Sequence, residues 1–149
     1  MITDIEQETS DIEWFFTNGK EIGFVTSSAG KLPISVANKS MEEIAFLTAY
    51  FSDLPYRSSL TINPDLKALL SPCTISREYL SDFTKMTERG LFSFDKTAFN
   101  NFSDPNYHLV AKPLNPLRFE DLPLEIAEVL FKTKVNGEIG TSLNICLIG

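Results

Sequence analysis

The 149-residue sequence predicts an α+β fold: a mostly antiparallel sheet, opened by a β-hairpin, packed against about three helices. Three observations carry this. Two aromatic and β-branched runs flank Asn18-Gly19, a pair that tolerates the positive φ of a tight hairpin turn. Capped apolar stripes at helical spacing follow at 40–54 and 76–90. Later short apolar runs, broken by Gly, Pro and Asn, then return the chain to strands.

Taken in order, residues 1–10 are polar and acidic and are expected to form a flexible, solvated leader, with a single domain over 11–149. Ile12–Thr17 and Glu21–Thr26 pair as the first hairpin, and 27–33 forms a loop ending at Pro33. Ser40 caps the first long helix, and Glu43 completes a reciprocal capping box. Ile44, Leu47, Phe51 and Leu54 form its buried stripe. Asp53-Leu54-Pro55 ends it, because the residue before proline is driven out of helical space.

Asn63-Pro64 starts a short helical run towards Leu70, and Pro72 stops it. A second long helix starts at Ser76 and ends at Gly90, with Tyr79, Leu80, Phe83 and Met86 inward. Glu78 and Asp82 on its solvated part repel each other across one turn. Strands are expected at Leu91–Asp95 and Tyr107–Lys112. A short helix capped by Asp121 follows, then a turn at Asn136-Gly137 and a last strand over Leu143–Ile148. A parallel βαβ arrangement is the competing topology.

The charge pattern narrows the partners. Net charge is −7, and Asp4, Glu6, Glu8, Asp11 and Glu13 all precede the first base. No basic run is present, which argues against a nucleic-acid backbone or an anionic membrane as partner. No stretch is long and apolar enough for a membrane helix, and no signal peptide is expected. Cys73 and Cys146 are read as reduced thiols of a cytoplasmic protein.

Catalytic signatures are missing from the sequence. One histidine and two distant cysteines do not make the usual zinc patterns, so neither metal nor cofactor is expected. Ser27-Ser28-Ala29-Gly30-Lys31 follows a strand but lacks the full phosphate-loop pattern, and Leu32-Pro33 replaces the helix start. His108 is read as an exposed or partly buried strand residue without a catalytic partner.

Binding candidates are Trp14, which would anchor a partner if exposed, and Ser27, Ser28 and Gly30 on the loop after the hairpin. Asp53, Tyr56, Arg57 and Arg118 are the polar candidates for a cleft, since a guanidinium forks onto carboxylate or phosphate.

The stretch Trp14–Pro33, WFFTNGKEIGFVTSSAGKLP, resembles the opening of certain small bacterial proteins of uncharacterised function. Those share a Trp-Phe strand, a glycine turn, a Gly-aromatic strand and a Ser/Thr-Ala-Gly loop ending in proline. The matching residues are Trp14, Phe15, Gly19, Gly23, Phe24, Thr26, Ser27, Gly30 and Pro33. Asn18 stands where such proteins carry an acid, and Ser28 is one residue extra. The resemblance implies no reaction, but it directs attention to the 26–33 loop.

The reading these features favour is a non-catalytic binding or interaction protein, regulatory or toxin-neutralising, whose acidity speeds capture of a basic partner. A small hydrolase-like enzyme with a polar pocket is the alternative, and a structural domain that self-associates as a homodimer is the third.

Overall fold

The computed structural model describes residues 1–70 and 75–149. Cys73 and the helix-stopping role of Pro72 fall outside the described residues. The chain folds as α+β, with a mixed, curled sheet that is mostly antiparallel and starts with a hairpin.

β1 (Glu13–Thr17) and β2 (Ile22–Thr26) form that hairpin, with Phe15 opposite Phe24. Asn18 Oδ1 accepts from the Lys20 and Glu21 amides, and Gly19 takes φ +89°, so the turn residues do what their chemistry allows. β2 then lies parallel to β4 (Phe92–Lys96), which pairs antiparallel with β5 (Asn106–Pro113). The far edge of β5 is shared by β3 (Leu60–Ile62) and β6 (Ser142–Asn144). β3 was not expected, and the parallel β2–β4 pair, connected through helices, is the one feature of the competing βαβ topology inside a mostly antiparallel sheet. Both depend on contacts distant in sequence.

Three helices have seven residues or more among those described: α3 (Met41–Ser52), α5 (Arg77–Thr87) and α6 (Leu124–Leu130). Shorter helices are α1 (Asp4–Glu8), α2 (Ile34–Ala37) and α4 (Leu66–Leu69). The Ser40–Glu43 capping box forms as expected, and Ser76 caps α5 through the Tyr79 amide. α6 departs from expectation. Its cap is Pro123, and Asp121 ends a preceding 3-10 turn over Phe119–Asp121. Proline has no amide to leave unpaired at a helix start. The final segment is strand only through Asn144, whose side chain accepts from the Cys146 amide and bends the chain into a 3-10 turn.

Both faces of the sheet are covered. Phe15, Ile22, Phe24 and Val110 pack beneath α3, α5 and α6. Trp14, Phe16, Val25, Phe94, Tyr107 and Leu109 pack beneath Ile2, Ile12, Val36, Ile145 and Ile148. This second cover corrects two expectations. Residues 1–10 do not stand off the domain: Thr3 and Glu6 form a capping box on α1, Ile2 is buried, and Gln7 bonds Ile2 O and the Leu32 amide. Trp14 is 1% exposed, so it is core and no surface anchor.

Candidate functional site

Strand alternation puts Thr26 of β2 and Asp95 of β4 side by side on the helix-covered face. Both stand at the carboxyl ends of their strands. In a parallel pair the connections leave from that end, which opens space for a site between departing loops. The loop after β2 closes back over it. Ser27 is fully buried and structural: its amide donates to Ile12 O at 3.0 Å, and its Oγ accepts from the Ile12 amide at 2.8 Å. Ser28 and Ala29 then take φ 46° and 60°, a left-handed pair that side chains rarely adopt. That turn aims Ser28 at the sheet.

Asp95 is the hub. Its side chain is 2% exposed and accepts four hydrogen bonds. Thr26 Oγ1 donates at 3.0 Å, Ser28 Oγ at 2.9 Å and the Lys96 amide at 2.8 Å, all to Oδ1. Tyr79 of α5 donates its hydroxyl to Oδ2 at 2.6 Å. Every donor is neutral. A cavity of about 400 Å³ opens here between the loop and α5. Asp11, Glu78 and Asp82 add three more carboxylates to its wall, while Leu70, Phe83 and Phe99 make it apolar between them. No lysine or arginine lines it among the described residues. Nearby Glu13 has its carboxyl pushed above the usual range, first by burial and then by Asp82 and Asp11, with Lys85 opposing.

Ser28 donates to a carboxylate, and its amide donates to Asp11 Oδ1 at 2.9 Å. His108 lies across from Asp95 on β5 and is buried, contrary to the expected exposure. Its Nδ1 is within 3.0 Å of Thr97 Oγ1, so the imidazole is turned to a hydroxyl other than Ser28. Burial lowers its pKa, and Asp95 partly opposes that shift. No nucleophile–base–orienter relay is assembled among the described residues. Nor do three or more His, Cys, Asp or Glu side chains converge there as metal ligands.

Of the residues the sequence singled out, the structure brings Ser28 to this pocket. Gly30 supports the loop from outside it. A Cβ there would meet Lys96 Cδ at 2.6 Å, and its amide bonds Ser27 O. Lys96 itself is buried on the opposite face, donating to Asp104 O at 2.7 Å with its ammonium 5.5 Å from the Tyr107 ring centroid.

Asp53, Tyr56, Arg57 and Arg118 do not form the expected cleft. Asp53 is exposed in a groove between α3 and α6, and Tyr56 and Arg118 are also exposed. Arg57 Nε donates to Asn115 O. No hydrogen bond or ion pair joins these four to one another among the described residues. Asp95, Tyr79, Asp11, Glu78 and Asp82 were not among the binding candidates, and Thr26 entered only through the resemblance that pointed to the 26–33 loop. The one available signal was an acid on the same side as Ser93 in a strand whose other side carries Phe92 and Phe94.

No protein-family description, curated protein or solved structure matches the chain significantly. Among the described residues, no helix is long and apolar enough to cross a membrane.

Proposed function

We propose that this protein is a non-catalytic binding protein, and that the pocket over Asp95 receives a cationic group carried by a protein partner. One observation carries the reading: four carboxylates and three aromatic rings line a single concavity, and among the described residues its central carboxylate is held by neutral donors alone. An arginine or lysine side chain fits that chemistry. Its charge answers the carboxylates, and its stem and π-facing cation suit Tyr79, Phe83 and Phe99. The absence of a relay around Ser28 weighs for binding over hydrolysis.

The test is calorimetric titration with an arginine-rich peptide against wild type and the Glu78→Gln/Asp82→Asn double variant. Both positions are exposed, so the fold is retained. Binding that weakens roughly tenfold in the double variant supports the reading, since each exposed charge contact contributes modestly. Equal binding by both proteins places the contact elsewhere.

A further inference from the structure

We infer that the hollow beneath residues 135–141 is a small-molecule site, which takes a single aromatic ring carrying a short amine chain. The segment crosses the sheet face that carries Trp14, Phe16 and Phe94, and it is tied at both ends. Near β1, the Val135 amide donates to Thr17 O at 3.0 Å and the Asn18 side-chain amide donates to Gly137 O at 3.0 Å. Near β5, Thr141 O accepts from the Leu109 amide at 2.9 Å, and β6 follows at once, paired to β5. Between these ties lies a cavity of about 280 Å³.

The hollow persists because its floor cannot rise into it. Phe16 and Phe94 form that floor, each 1% exposed. The Phe16 ring is wedged over Gly23, and it packs against Trp14 and Phe94 at centroid distances of 6.2 and 5.7 Å. The space beside the segment is open as well, since a Cβ on Gly140 would meet no atom within 4 Å. Val135, Ile139, Leu143 and Leu147 make the walls apolar. Apolar walls with a few polar groups at the mouth are the ordinary make-up of a ligand pocket.

Size and charge select the occupant. An apolar cavity of roughly 150 Å³ already admits benzene, so this one has room for a ring and a short chain. Phe16 and Phe94 meet at an interplanar angle of 60°, and a third ring extends that edge-to-face packing. Glu138 is the one charged residue in the lining among the described residues, and the whole chain carries −7. An ammonium is therefore favoured at the mouth, and a carboxylate is repelled. The Asp95 pocket is a separate site, on the opposite face of the sheet and with no lining residue in common.

The test is chemical-shift mapping with phenethylamine, phenethyl alcohol and hydrocinnamate, on wild type and Glu138→Gln. Glu138 is exposed, so the fold is retained. The expected result is saturable shifts at Phe94, Ile139 and Leu143 from the amine, binding roughly threefold weaker from the alcohol, and none from the acid. Glu138→Gln brings the amine down to the level of the alcohol. No saturable shift at those residues with any of the three compounds overturns the site. Equal affinity for amine and acid, or an amine affinity unchanged by Glu138→Gln, overturns the assigned class. Amine-induced shifts confined to Ser28, Tyr79 and Asp82 also overturn the inference, and they assign the amine to the Asp95 pocket instead.

Discussion

On the face beneath α3, α5 and α6, the buried charge is Asp95, and four neutral donors surround it. On the face covered by residues 1–12, α2 and the last residues of the chain, the buried charges are Lys39 and Lys96. Each has fewer hydrogen bonds than its ammonium can make. Burial lowers the pKa of both, and Lys39 falls to about 8. The difference teaches where function is to be sought. A carboxylate inside a prepared shell of donors, opening on a cavity, is organised for a ligand. Lysines held by carbonyls and a hydroxyl under an apolar cover are there for packing, and their charge is a burden on the fold.

The largest effect is expected from breaking the carboxylate side. Asp95→Ala strands the hydroxyls of Thr26, Ser28 and Tyr79 and should cost about 3 kcal/mol in urea unfolding. A loss within experimental error would mean that the shell is not organised around the charge.

Next in size is Gly23→Ala. A Cβ there would fall 2.1 Å from the Phe16 ring, which lies over the glycine, so the ring must move within a full core. Overpacking of this kind costs roughly 2 kcal/mol. An unchanged melting temperature would show that the second face repacks freely.

Lys39→Met sharpens the contrast through pH. The ammonium titrates near 8 in the folded protein and near 10.5 when unfolded. Between those values the unfolded chain holds the extra proton, so wild-type stability should climb as pH rises. The variant should stay within about 1 kcal/mol of wild type at pH 7 and lose that climb. Parallel pH profiles would contradict the assignment.

The smallest effect concerns His108. Its lowered pKa lets the unfolded chain bind the proton first, so stability should decline as pH falls below 6.5. His108→Gln should flatten that part of the profile, measured by thermal melts across the range.

Local chemistry was readable in the sequence. The Ser40–Glu43 box, the Ser76 cap and the Asn18-Gly19 turn involve residues within a few positions of one another. Even Thr3 and Glu6 showed the same box. The acidic run around them was read as solvated because Ile2 and Gln7 find their partners, Ala37 and Leu32, only in the folded chain. The site was less readable for the same reason. Ser28 was singled out from its loop, but Asp95 reaches it across 67 positions, through a parallel pairing that no turn signal announces. Trp14 and Phe15 both carry bulky rings, so alternation could not say which face would be exposed. In the fold neither is.

The most direct test of the Asp95 pocket is amide chemical-shift mapping during titration with arginine amide. The account predicts saturable shifts clustered at Ser28, Tyr79, Asp82 and Phe99, reduced in Glu78→Gln/Asp82→Asn. Shifts scattered over the acidic surface, or equal in the two proteins, would contradict it.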